Sequence, residues 1–249
     1  MKRVLLIFIL NIFISGLTFA QKDNNFQATY FGIISDGITN NTAAIQSAID
    51  YIAAKGGGKL SFYVGRYLTG GLELKSNVTI ELNEGAILVA TPNVNDYSLI
   101  DGIRSFLFGN QLSNVKIIGK GVVEANPDSY FELLDKLQGK NLLTAGYLDP
   151  VPALLTMNNC KNIEVSGIIF QKAFKDGLDF KNCSGVSLDS LTIRYNLKRS
   201  GHGISFRNTN GINLTSLFVD PKGNALVKDK ISKIALIKRA ITSDGKSIL

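Results

Sequence analysis

The chain has no tryptophan, a single histidine (His202), two cysteines (Cys160 and Cys183) and only five prolines among its 249 residues. Each scarcity excludes something. One imidazole and two thiols cannot build a four-ligand nitrogen/sulfur zinc site from this chain alone, so neither a metal nor a cofactor is expected. Any serine- or cysteine-based triad would have to use His202. Two cysteines are too few for a disulfide-stapled miniprotein, and a 45% hydrophobic content is too high for a disordered chain. What is left is one globular domain, long enough to bury a core.

The charge that is present is unevenly placed. Formal net charge is +7. Two of those units, Lys2 and Arg3, precede an apolar run from Val4 to Ala20 interrupted by Asn11, Ser15, Gly16 and Thr18. The run is shorter than the roughly 20 uninterrupted apolar residues of a membrane span, and Thr18-Phe19-Ala20 ends it with small residues where a signal peptidase reads. Residues 1–20 therefore read as a cleaved signal peptide, and residues 21–249 as a secreted or periplasmic domain with no membrane contact. From Gln21 to Asp220 the chain is neutral, with 18 basic and 18 acidic residues. The remaining surplus follows Asp220: Lys222, Lys228, Lys230, Lys233, Lys238, Arg239 and Lys246 against Asp229 and Asp244. A nucleic-acid binder would spread a basic stripe through its fold, so no nucleic acid is expected as a partner.

A repeat runs through the neutral part. Asn159-Cys160-Lys161-Asn162-Ile163-Glu164-Val165 returns as Asn182-Cys183-Ser184-Gly185-Val186-Ser187-Leu188, then as Asn208-Thr209-Asn210-Gly211-Ile212-Asn213-Leu214, with a degraded copy at Lys230 to Ile237. Ser76 to Ile80 and Ser113 to Ile117 are earlier relatives. Each unit holds short period-2 apolar pairs, such as Leu178/Phe180, Val186/Leu188 and Leu191/Ile193. Such units describe an all-β fold, a right-handed, single-stranded parallel β-helix. Stacked coils put equivalent residues about 4.8 Å apart, so Asn159, Asn182 and Asn208 should form an amide ladder. Cys160 and Cys183 fall on adjacent coils, as a disulfide or as small buried hydrophobes.

The N-terminal part departs from this pattern. Asn40-Asn41-Thr42 offers a helix start, and Ile45, Ala48, Ile49 and Ile52 recur at helical spacing before Gly56-Gly57-Gly58. That spacing predicts an N-terminal capping helix over the first coil. A second helix is expected at Tyr130 to Leu137, within an excursion from Pro127 to Pro152. The last residues, Asp244 to Leu249, fall in mid-coil, so the C-terminal coils read as incomplete.

Several segments now resemble a known family. Asp36-Gly37-Ile38-Thr39-Asn40-Asn41-Thr42-Ala43-Ala44-Ile45, Gly65-Arg66-Tyr67-Leu68-Thr69-Gly70, Ser76-Asn77-Val78-Thr79-Ile80 and Asn114 to Gly121 are similar to glycoside hydrolase family 28, the polygalacturonases of the pectate-lyase-like superfamily. The resemblance covers about Thr29 to Asp220 and implies hydrolysis of pectin-type acidic polysaccharide; a monomer is expected, though nothing in the residues sets the oligomeric state. It also implies an inverting mechanism with carboxylates on an N-T-D-G turn and, one coil later, a G-D-D turn, followed by G-H-G and R-I-K. Inversion needs one acid to protonate the leaving oxygen and one carboxylate to activate water.

This chain departs from that pattern. By one register His202 stands where an aspartate is expected, and Gly223 and Asn224 replace the next pair. Sliding the frame by one coil makes Lys175-Asp176-Gly177-Leu178-Asp179 the D-G turn and stacks Asp176 against His202, the candidate catalytic residues. Arg194, Arg199 and Arg207, with Lys198, offer cations for uronate carboxylates, and Tyr195 a sugar-stacking ring in a chain without tryptophan. Asp179, between inward Leu178 and Phe180, should point outward as an ordinary surface carboxylate. Two functions stay open: a polygalacturonase-like hydrolase, or an inactive or truncated β-helix that binds polysaccharide.

Overall fold

The structure, a computed structural model, describes residues 24–98, 104–142, 152–174, 176–195 and 201–249. Its strands are short and parallel, and they stack into three ladders. The first runs through Asn25–Gln27, Gly58–Phe62, Val78–Leu82, Ser113–Gly119, Lys161–Ser166 and Ser184–Asp189. The second holds Gly65–Thr69, Ala86–Ala90, Val122–Glu124, Ile169–Ala173 and Thr192–Tyr195. These two join where Asn210–Asp220 runs through both, followed by Lys233–Thr242. The third ladder is Leu72–Glu73, Ser105–Asn110, Ala153–Asn158, Leu178–Lys181, Ile204–Arg207 and Leu226–Lys228. The chain visits the three in turn, which makes a parallel β-helix.

Period-2 alternation sends every second side chain inward, and the register stacks like on like. One column is Val115, Ile163, Val186, Ile212 and Ile234. Another is Leu107, Leu155, Leu178, Ile204 and Leu226. Beside it Met157, Phe180 and Phe206 stack, the two rings 5.3 Å apart, and the column ends on Lys228. The coils must also bend sharply. Gly167 has φ +73°, and a Cβ there would lie 1.9 Å from the carbonyl oxygen of Gly119, so the close approach of these turns requires glycine.

The expected amide ladder is present and longer than the repeat alone indicates. Asn208, Asn182 and Asn159 each donate from Nδ2 to the Oδ1 of the preceding member, at 2.9, 3.1 and 3.0 Å, ending on Asn110. A second ladder links Asn162 to Asn114 and Asn114 to Asn77, at 3.1 and 2.8 Å. Every member but Asn110 has positive φ, between 48° and 62°, a conformation asparagine tolerates better than most residues. Cys160 and Cys183 are free thiols, buried beside one another.

Helix α1 (Thr42–Ala54) buries Ile45, Ala48, Ile49 and Ile52 against the first strands, the face its spacing predicts. Its first turn is anchored from outside the helix: Asn40 Oδ1 accepts the Thr42 N–H at 3.0 Å, while Asn41 accepts from Ile34. Helix α2 (Pro127–Gly139) is longer than the expected segment because Pro127 serves as its first residue. At the other end, the tail after Thr242 turns back: Ile241 pairs antiparallel with Ser247, and Ile248 is buried. No described helix is long and apolar enough to cross a membrane.

Asn182 both donates and accepts in its ladder from a left-handed backbone, so the two contributions can be separated. Asn182→Ala is expected to lower unfolding free energy by about 2 kcal/mol, combining lost hydrogen bonds with left-handed strain. Asn182→Gly should recover roughly half of that. Urea titrations of both variants check the order.

Candidate active site

The residues proposed for chemistry lie on the turn that leads into the third ladder. Strand Ile169–Ala173 ends, the chain bends through Phe174 and Gly177, and strand Leu178–Lys181 begins. The bend is fixed from both neighbouring coils. Gly177 and Leu178 donate their N–H groups to the carbonyls of His202 and Gly203, each at 3.0 Å, and Leu154 and Leu155 donate to those of Asp176 and Gly177 at 3.3 and 3.0 Å. One coil further, Gly203 donates to the carbonyl of Asn224 at 2.9 Å. The column is therefore Asp176, His202, Asn224, as the shifted register requires.

Asp176 and His202 are stacked, and the contact between them runs through the main chain. Asp176 Oδ1 accepts the backbone N–H of His202 at 3.0 Å. Both side chains are half-buried. A carboxylate holding a backbone N–H is fixed in place, and its second oxygen remains to engage a water or a substrate hydroxyl.

Three residues on, Asp179 differs from the surface carboxylate that alternation alone implies. It does point outward, yet only 14% of its side chain is exposed, and its Oδ2 is ion-paired with Arg207, whose side chain is 56% exposed. The outward row on which it sits reads Glu73, Phe108, Thr156, Asp179 and Ser205. Its Oδ1 is buried without a hydrogen-bond partner, as is Oγ1 of Thr156, the next side chain along the row. Burial pushes the Asp179 carboxyl up, Arg207 opposes this, and the neighbouring charge of Asp176 adds to the rise; the net shift is upward. Two carboxyls on one turn thus have unlike environments, the pattern that separates an acid from a base. Near its N-terminal end the row opens into a cavity of about 410 Å³ lined by Thr42, Gln46, Glu73, Asp96, Ser105 and Phe108.

The proposed binding residues are not all brought together. Arg207 is on the third ladder, committed to Asp179. Arg194 is on the second ladder, in a row with Glu124, Gln171 and Asp220, its guanidinium 6.0 Å from the centre of the Phe218 ring. Tyr195 ends the strand of Arg194. Its side chain, like Arg199 and Lys198, lies outside the described residues, as do residues 1–20. Composition and spacing gave no sign of Glu124. Its side chain is 8% exposed and receives Arg66 at 3.1 Å, Lys172 at 3.0 Å and Gln171 at 2.7 Å. Burial pushes this carboxyl up, but Lys172, Gln171 and Arg66 together outweigh it and hold it below its ordinary value. Among the described residues no cluster of three or more His, Cys, Asp or Glu could hold a metal ion.

Stacked coils and inward apolar columns define the class: a parallel β-helix protein with polar side chains in outward rows. The chain belongs to the glycosyl hydrolases family 28, whose model matches residues 35–221. It is 34% identical to an exo-poly-alpha-D-galacturonosidase of Dickeya chrysanthemi over 115 residues, 39% of this chain but only 19% of that enzyme. A crystal structure from Parabacteroides merdae, provisionally described as a glycosyl hydrolase, superposes with a TM-score of 0.82 at 36% identity, covering 90% of this chain and 97% of that one. A family 28 exopolygalacturonase of Yersinia enterocolitica shares the fold, with a TM-score of 0.71 and 24% identity over 83% of this chain and 45% of the enzyme.

Glu124 and Asp179 have opposite pH signatures. Glu124, lowered in the fold, contributes stability that is present above its unfolded value and lost as pH falls through its folded value. Glu124→Gln should therefore flatten the acid limb of a stability–pH curve below about pH 4.3. Asp179, raised in the fold, contributes stability below its unfolded value that is lost as pH rises through its folded value. Arg207→Ala leaves that carboxylate without its partner and should cost roughly 1–2 kcal/mol at neutral pH, while Asp179→Asn costs less. Denaturant titrations from pH 3 to 8 read all three variants.

Proposed function

We propose that this chain hydrolyses a pectin-type acidic polysaccharide, with Asp176 and His202 at the reacting centre. The observation that carries this reading is the turn at Asp176. It lies within the family match, it is hydrogen-bonded directly to the Gly201-His202-Gly203 turn, and it has beside it a second carboxyl, Asp179, with a raised pKa. In this reading Asp176 is the carboxylate that orients and deprotonates the attacking water. Asp179 supplies the proton to the leaving oxygen, and the half-buried His202 imidazole binds a sugar hydroxyl or uronate beside them. Arg207, once released from Asp179 by its protonation, can meet a substrate carboxylate, and Arg194, Tyr195 and Arg199 are the further candidates for substrate contact. Residues 1–20 direct the chain out of the cytoplasm to its substrate, and it acts as a monomer with α1 closing its first coil.

A second reading has its own support. Gly223 and Asn224 stand where the family's paired aspartates are expected; Asn224 belongs to the column built on Asp176, and Gly223 donates its N–H to the carbonyl of Gly201 beside it. A coil surface with that substitution could bind acidic polysaccharide without cutting it.

Reducing-end release from polygalacturonate by the purified chain decides between them. The first reading expects turnover that falls by at least about a hundredfold in Asp176→Asn, the scale of losing a general base, with inversion at the new anomeric centre. Retention in a polygalacturonate gel with no reducing-end release selects the second. Unsaturated, ultraviolet-absorbing products would sink both, since they mark a lyase.

A further inference from the structure

The basic surplus of the sequence becomes a surface feature in the fold. The last strand, Lys233–Thr242, pairs on one side with Asn210–Asp220, and no further parallel strand covers its other edge among the described residues. Register fixes which of its side chains face out. Ile234 and Ile237 continue the inward columns of Ile212 and Leu214, while Lys233, Leu236 and Lys238 stack on outward Asn210, Asn213 and Thr215. The register shifts between Lys233 and Leu236 put all three on one face. Arg239 follows at the bend with φ +52°, in the turn conformation that Ser216 and Ser190 adopt one and two coils earlier. Lys230 precedes the strand.

Lys230, Lys233, Lys238 and Arg239 are all exposed, and none has a carboxylate within ion-pair distance among the described residues. The nearby acids are already engaged. Asp229 accepts the N–H groups of Asn208 and Ser232 at 2.7 and 2.8 Å, and Asp244 pairs with Lys246 at 2.6 Å. Further back on the same outer face Lys59 meets Glu81 at 3.0 Å and Lys116 meets Glu164 at 2.8 Å, while Lys161 stands three coils before Lys233 in its row. Four exposed cations thus lie close together on the last described coil. Like charges disfavour a second copy of this coil as occupant, and the same field attracts an extended polyanion.

We propose that the outer face of the last coil, through Lys230, Lys233, Lys238 and Arg239, is a docking strip for a uronic-acid polysaccharide, separate from the turn at Asp176. It tethers the chain to a polymer whose carboxylates repeat along its length. The choice of a uronan rests on the substrate class proposed above, and the two ideas fail separately.

The test is affinity electrophoresis of the full chain in gels containing polygalacturonate or fully methyl-esterified pectin. Expected is retention by polygalacturonate alone, weakening steeply between about 20 and about 300 mM salt as screening shortens. The variant Lys233→Gln/Lys238→Gln/Arg239→Gln should bind polygalacturonate about tenfold more weakly. Asp176→Asn should be retained like the wild type. Turnover of a short oligogalacturonide should be the same in the triple variant and the wild type, including the case where neither cuts it. Equal retention of the triple variant, equal retention on methyl-esterified pectin, or retention insensitive to salt overturns the strip. A thermal melt of the triple variant excludes misfolding, and the wild-type salt series stands without any variant.

Discussion

Everything in this molecule depends on parallel main-chain pairing between successive coils. Each strand hydrogen-bonds to the equivalent strand one coil before and after, at the fixed spacing of a parallel sheet, so a residue's neighbours are set by its place in the repeat. That constraint lines up Leu178 with Ile204, Asn182 with Asn208 and Asp176 with His202 in a single operation. It also explains why polar side chains come in rows. A carboxylate facing outward on one coil meets whatever the next coil places at the same height, and the row of Glu124, Gln171, Arg194 and Asp220 shows how opposite and neutral groups can share it.

The same constraint shapes the candidate site. A turn between ladders has no freedom to move when both adjacent coils bond to its main chain, as they do at Asp176 and Gly177. The side chains there start from a fixed main chain, and Asp176 and Asp179 are further held by the His202 N–H and by Arg207. Asp179 is held in a low-polarity position by the strand that carries it, and its proton affinity rises for that reason, with Arg207 providing partial compensation. A fold in which backbone bonds do the positioning can leave carboxyl groups poised.

Much of this was legible in the residues. The Asn159, Asn182 and Asn208 repeat gave the coils, the amide ladder and the stacking of Asp176 on His202, because in this architecture register follows from spacing. Helix α1 was legible from Ile45, Ala48, Ile49 and Ile52, since one amphipathic face is a local property. Glu124 was not, because its partners Arg66 and Lys172 are 58 and 48 residues away and belong to no motif. Alternation gave the outward direction of Asp179 but not its burial, which comes from packing over the third ladder. The second asparagine ladder, through Asn77, Asn114 and Asn162, escaped notice since its members are separated by unequal insertions.

The longer asparagine ladder also has a direction. Every amide donates toward the N-terminal coils and presents its oxygen toward the next coil, from Asn110 through Asn159 and Asn182 to Asn208. Head-to-tail amides polarise one another, so their dipoles add. The sum is a side-chain counterpart of a helix dipole running along the axis of the coils, with its negative pole at Asn208. That pole faces the last coil at Asp229, whose carboxylate is held there by the main-chain N–H groups of Asn208 and Ser232 and not by the amide ladder.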